Sequence, residues 1–187
     1  MRPRPERARA FQFRNGLSCA PRGDGVSVAA LSPVSPRKIS PNARAEHLRV
    51  GIVLSRFNAS IGAPLLEGAL RALDEAGADE SSITVVTVPG ALESPLALQR
   101  MAQTGDYDAL VALGAVVRGE TFHFEIVATE SASGVASVQL EFGIPIGNGI
   151  LTTDTEEQAL ARANVKGYEA AMAAVEMANL LDAIDED

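Results

Sequence analysis

Three short stretches, each placed just after a run of apolar residues, hold unusual side chains whose types could do chemistry together. Arg56-Phe57-Asn58 offers an aromatic ring between a cation and an amide, and Pro89-Gly90-Ala91-Leu92-Glu93 ends in a carboxylate. Gly114-Ala115-Val116-Val117-Arg118-Gly119-Glu120-Thr121 leads, after Phe122, to His123. This run nearly matches the phosphate-cradling G-x-x-x-x-G-K-[ST] loop, but Glu120 stands where the lysine belongs. A carboxylate at that point repels nucleotide phosphates, which excludes an NTPase. The amides of Gly119, Glu120 and Thr121 still suit a single phosphate, helped by the next helix N-terminus and the Thr121 hydroxyl. The plainer alternative is an ordinary strand-to-helix turn.

Each side chain carries a similar choice. His123, at a helix start beside that loop, is either a proton shuttle or a histidine satisfied locally. Phe57 is either a stacking face for a planar ligand or a loop residue packed back on the core. Glu93 either accepts hydrogen bonds from ligand hydroxyls or simply complements a helix dipole. Gly147-Asn148-Gly149 interrupts an apolar run, either for close backbone approach or as a bulge. Arg162 and Lys166 are the only cations after Arg118, serving either as solvated helix charge or in phosphate capture.

The elements that must hold these residues follow from periodicity. Leu48–Ser55 is a nearly continuous apolar run, as expected of a strand buried on both faces; Ile83–Val88, almost wholly β-branched, and the apolar Asp108–Val117 and Ile144–Leu151 read as the further strands. Between and after them, Ser60–Gly77, Leu92–Thr104, His123–Phe142 and Thr155–Leu181 read as helices. Pro95 falls in a first turn, Asp154 or Thr155 is placed to cap the last helix, and Gly167 is a point where that helix breaks. Strictly alternating strands and helices give a βαβ series with right-handed crossovers, a parallel sheet and a doubly wound α/β domain. Such sheets bind ligands at the carboxyl ends of their strands. The three chemical stretches all lie there.

Composition removes several function classes. The core is Val, Leu, Ile and Ala, because aromatics are only 4% and Trp is absent. No run approaches the roughly 18 apolar residues of a membrane span. The single cysteine, Cys19, and the two histidines, His47 and His123, supply no metal-ligand set, so no metal is expected. The net charge of −8 divides unevenly. Residues 1–45 hold nine basic and two acidic residues (+7), and the rest holds seven basic and twenty-two acidic (−15). So acidic a domain is a poor nucleic-acid binder. Residues 1–45, rich in Arg, Pro, Ser and Ala, read as a separate extension: a disordered tail, a stretch upstream of the true start, or an organelle transit peptide. Residues 46–187 are the expected folded domain.

RFN, VPGALESP, GAVVRGETFHFEIV and PIGNGILTTDTEEQALARA, in that order, resemble the successive signature blocks of the lumazine synthase family over about residues 48–181. The resemblance implies a flavodoxin-like three-layer sandwich with a central four-stranded parallel sheet. It also implies a transferase of riboflavin biosynthesis that uses no cofactor. That enzyme condenses 5-amino-6-ribitylaminouracil with 3,4-dihydroxy-2-butanone 4-phosphate to 6,7-dimethyl-8-ribityllumazine, with loss of phosphate and water. Carried onto this chain, Phe57 stacks on the pyrimidine and Asn58 shapes its pocket. Ala91 and Glu93 meet the ribityl chain, Leu92 between them belongs to the same substrate-binding set, and the main chain of Val116 and Val117 bonds the pyrimidine edge. Gly119, Glu120 and Thr121 hold phosphate, Arg162 reaches over from an adjacent subunit, and His123 transfers protons.

The same resemblance implies a homopentamer, or a multiple of pentamers, with the site shared between subunits. It places the protein in the cytoplasm of a bacterium, or in an organelle matrix if the extension is a transit peptide. Three departures stand out. Asn148 replaces a phenylalanine common in relatives, the segment from Arg162 to Gly167 is short, which leaves Lys166 unplaced, and no strand-adding N-terminal arm is recognisable. A non-catalytic flavin or lumazine binder on the same scaffold is the rival reading, disfavoured by the presence of His123 and Arg162. A flavodoxin-like electron carrier would need a hydroxyl- and glycine-rich loop after the first strand, and RFNAS is a poor one.

Overall fold

A computed structural model describes residues 35–186. Four strands and four long helices alternate: β1 (Val50–Ser55), α1 (Ala59–Glu75), β2 (Ile83–Val88), α2 (Ser94–Thr104), β3 (Ala109–Val117), α3 (His123–Phe142), β4 (Ile146–Thr153) and α4 (Glu156–Asp185). The strands form one all-parallel sheet in the order β2-β1-β3-β4. The central strands β1 and β3 are nearly all buried, as their unbroken apolar runs require, whereas the edge strand β2 is largely exposed.

Two apolar clusters fill the space on the two faces of the sheet. On one, Ile52, Val111 and Leu113 meet Ile61, Leu65 and Leu73 of α1 and the small residues Ala163, Ala171, Ala174 and Val175 of α4. On the other, Val53, Leu110 and Ala112 meet Leu98 of α2 and Val135 and Val138 of α3. The result is the expected three-layer α/β sandwich around a four-stranded parallel sheet.

Gly167 does not break α4, which runs unbroken through Glu156–Asp185. It lets α4 lie against α1: a Cβ there would come 1.9 Å from the Leu65 carbonyl oxygen, and one at Gly68 would come as close to that of Asn164. Gly147 serves close approach too, its missing Cβ leaving room for the Ala170 carbonyl oxygen. No bulge occurs there, since the β3–β4 register runs without interruption from Leu110↔Ile146 to Val117↔Thr153. Thr155 caps α4, its side chain accepting from the Gln158 amide.

β4 begins two residues later than its apolar run suggests. Ile144 is buried but precedes Pro145, and the Ile146 amide is held by the Gln139 side chain at 2.9 Å. Apolar content marks burial, while the ladder marks the strand, and the two differ at this edge. At the N-terminal end the compact unit begins at Lys38. Ala45 is fully buried, its amide donates to the Ala76 carbonyl, and the Asn179 side chain donates to the carbonyls of Asn42 and Arg44. Residues 38–45, grouped by composition with the basic extension, therefore pack with the domain. The transit-peptide reading falls almost wholly on residues outside the described ones.

Candidate active site

Helices α1 and α3, which follow β1 and β3, pack on opposite faces of the sheet, so the chain diverges at the carboxyl ends of these adjacent strands. This is the switch point where open parallel sheets form a crevice. A cleft of about 350 Å³ opens there, a size suited to a small molecule.

The first wall is the turn after β1. The Arg56 amide donates to the Val88 carbonyl and that of Phe57 to Pro89, tying the turn to the end of β2. Asn58 is the one described non-glycine residue with positive φ (φ 60°, ψ 51°), a left-handed conformation that Asn tolerates better than most residues. The β1–β3 ladder ends at Leu54 and Leu113, and beyond it Asn58 Nδ2 donates to the Ala115 carbonyl at 3.0 Å. The side chain thus replaces a missing strand donor. Phe57 between these tethers is 69% exposed, so its ring is not packed back on the core.

Extended Gly90 and the 3-10 turn Ala91–Glu93 make the second wall. Ala91 is buried, Leu92 and Glu93 are exposed, and Glu93 makes no side-chain cap to α2. The floor is Ala115, Val116 and Val117 of β3. The far side is the turn from Gly119 to Thr121, followed by His123, Phe124 and Val127 on the first turns of α3. Ten residues expected at the site, some from their type and spacing and some from the family resemblance, therefore share one cleft: Phe57, Asn58, Ala91, Leu92, Glu93, Val116, Val117, Gly119, Thr121 and His123.

The family model for 6,7-dimethyl-8-ribityllumazine synthase matches residues 47–182, which span every element of this sheet. The chain belongs to the 6,7-dimethyl-8-ribityllumazine synthase family. Proteins of that name from Nitrosospira multiformis and Cupriavidus necator are similar to it. The first is 56% identical over 149 residues, covering 80% of this chain and 93% of the relative. The second is 58% identical over 144 residues, covering 77% and 87%. A third, from Methylobacillus flagellatus, is 54% identical over 145 residues and is covered to 97% of its length.

Four of the residues expected to bind substrate do not line this cleft. Glu120 is exposed on the turn outside it. Asn148 lies on edge strand β4, where its Oδ1 accepts from the Ile150 amide, and it lines a separate hollow of about 280 Å³ with Thr129, Ser131 and Thr152. Arg162 is exposed on α4 and donates to the Gln158 carbonyl, and Lys166 pairs with Glu169. The cleft therefore presents one carboxylate, Glu93, and no Lys or Arg among the described residues that line it.

Two wall residues, Phe124 and Val127, share the helical spacing of the apolar face of α3. That face divides: Val135 and Val138 enter the core, while the first turns open on the cleft. Arg118 lies just behind the wall. Its side chain reaches Asp154 and Glu125 and lies over the Phe124 ring. Hydrogen bonds to Asp154 and then to Glu125 push its pKa up, and Arg118 in turn holds the Glu125 carboxyl below its ordinary range. Among the described residues no His, Cys, Asp or Glu cluster is arranged to hold a metal ion, and no helix is long and apolar enough to cross a membrane.

Proposed function

We propose that this cleft condenses 5-amino-6-ribitylaminouracil with 3,4-dihydroxy-2-butanone 4-phosphate. The amine adds to the ketone and water leaves to give an imine. Proton removal from the neighbouring carbon expels phosphate and leaves an enol, which ketonises; the ribityl-bearing amine then attacks this new carbonyl and closes the lumazine ring with loss of water. The chemistry asks for two held substrates, a proton carrier and a place for the leaving phosphate. Phe57 stacks on the pyrimidine, the uncovered main-chain edge at Val116 and Val117 bonds it, and Ala91, Leu92 and Glu93 meet the ribityl hydroxyls. The Gly119–Thr121 amides receive phosphate at the start of α3, and His123 moves the protons.

The observation that carries this reading is the meeting of Phe57, Glu93, the Gly119–Thr121 turn and His123 at one switch point. The lack of a cation there favours a site completed by a neighbouring copy. We place the phosphate partner Arg162, with Lys166 and Asn148, on that neighbour, in a homopentamer or a multiple of pentamers. The test is lumazine formation, followed by absorbance, with both substrates and a chain beginning at Lys38. Saturable turnover is expected. Tight binding of lumazine or flavin with no product would instead make the protein a carrier on the same scaffold.

A further inference from the structure

We propose that Arg118 is a positioning residue for the leaving phosphate: it clamps the Gly119–Thr121 turn and the start of α3 without binding the phosphate itself. This rests on the function proposed above and adds a residue that neither the motifs nor the family name assigns.

The geometry separates Arg118 from its neighbours. Val117 and Gly119 line the cleft, and Arg118 does not. Its amide donates to the Thr153 carbonyl at 2.9 Å, extending the β3–β4 ladder by one bond beyond the last pair. Its Nε donates to Asp154 Oδ1 at 2.7 Å, at the exit of β4, and its Nη1 donates to Glu125 in the first turn of α3. The guanidinium carbon lies 4.1 Å from the centre of the Phe124 ring, another first-turn residue and a cleft wall. One planar group therefore joins the ends of two strands to the helix that carries His123 and Phe124.

Little else fixes this corner. The turn from Gly119 to Phe122 belongs to no helix or strand, and the bonds that start α3 are long, Phe124 to Thr121 and Ile126 to Phe122 both at 3.4 Å. A turn that presents amides to an anion works only if they converge, and a displacement of about 1 Å in such a site costs about 100-fold in rate. Charge decides between holding and positioning. Two carboxylates already share the guanidinium, leaving the trio net negative, so Arg118 would have to abandon both to meet a phosphate. Lysine replaces it only in part, because an ammonium lacks the flat guanidinium whose face lies on a ring while its edge donates to two carboxylates. The three side chains are 45%, 39% and 67% exposed, so these pairs add little to global stability and their loss should leave the fold intact.

The test compares Arg118→Met, Arg118→Lys and the double variant Glu125→Gln/Asp154→Asn in the full chain. KM for each substrate, kcat and the affinity for inorganic phosphate by calorimetry are measured. For Arg118→Met, the KM of the phosphorylated substrate and the Kd of inorganic phosphate should rise about 10-fold or more. The KM of the ribitylaminouracil should stay within about 2-fold, and kcat should fall as His123 loses its placement. Arg118→Lys should recover only part of this, and the double variant should follow Arg118→Met. Equal effects on both substrates, unchanged phosphate affinity, or full rescue by lysine would overturn the clamp. Should Arg118→Met fail to fold, the double variant decides by the same criteria. A wild-type chain that makes no lumazine would defeat the functional reading alone, because phosphate affinity still judges the clamp.

Discussion

Asn58 joins backbone conformation to substrate placement at a single residue, and two substitutions separate its roles. Asn58→Gly removes the hydrogen bond to the Ala115 carbonyl but suits the left-handed backbone. Losing one part-buried bond costs about 1 kcal/mol. Asn58→Ala loses the same bond and also the local side-chain hydrogen bonding that lets asparagine, unlike alanine, tolerate the left-handed region, adding about 1 kcal/mol more. For a domain of this size 1 kcal/mol moves Tm by about 2–4 °C. The glycine variant should therefore melt about 3 °C below wild type and the alanine variant about 6 °C below. Both release the turn that carries Phe57 from β3 alike. KM for the ribitylaminouracil should rise about 10-fold in both, with the phosphorylated substrate little affected. Differential scanning calorimetry and steady-state kinetics on the three proteins check this. An alanine variant as stable as the glycine variant would refute the backbone argument, and unchanged KM in both would refute the tether.

His123→Ala should lower kcat by about 10–100-fold while leaving assembly and substrate binding intact, and an unchanged rate would remove it from proton transfer. Arg162→Ala should raise KM selectively for the phosphorylated substrate. Mixed one to one with His123→Ala protomers, it should recover about a quarter of wild-type activity through hybrid sites. Equal loss for both substrates, or no recovery on mixing, would contradict its service to a neighbour. Gly167→Ala would require α1 to retreat by about 1.1 Å before the new Cβ reached 3.0 Å from the Leu65 carbonyl oxygen. Strain of about 3 kcal/mol or more outweighs the gain of about 1 kcal/mol in helix propensity. The denaturation midpoint in urea should fall, and a rise would show that the helices separate freely.

Where local chemistry and tertiary packing agree, sequence and structure coincide. Ile83–Val88 and His123–Phe142 have the bounds that periodicity predicts, because turn residues flank them on both sides. The convergence of the three loops was legible too, since the strand-end rule needs only element order. Other features were hidden for definite reasons. A glycine within a helical tract marks either a break or a close contact, and only the path of α1 beside Gly167 decides between them. Phe124 and Val127 share helical spacing with core residues, and their cleft position depends on where α3 starts relative to the sheet. Arg118 gave no signal of its own, because its partner Asp154 is 36 residues away and meets it only once β3 and β4 pair.

The charge pattern ties the proposed catalysis to assembly. An anion held only by main-chain amides at one helix start is held weakly in water, since such dipoles are worth little where solvent competes. Among the described residues the cleft offers no Lys or Arg, its carboxylate Glu93 is repulsive, and the nearby guanidinium of Arg118 is committed to two acids. A protomer alone should therefore retain the stacking and main-chain contacts for the pyrimidine while failing to hold phosphate. On dilution through the dissociation range, turnover should fall with the fraction assembled, whereas binding of the ribitylaminouracil should decline much less. Parallel loss of the two would mean that the neighbour also builds the pyrimidine pocket, and that the cleft within one chain is only half of it.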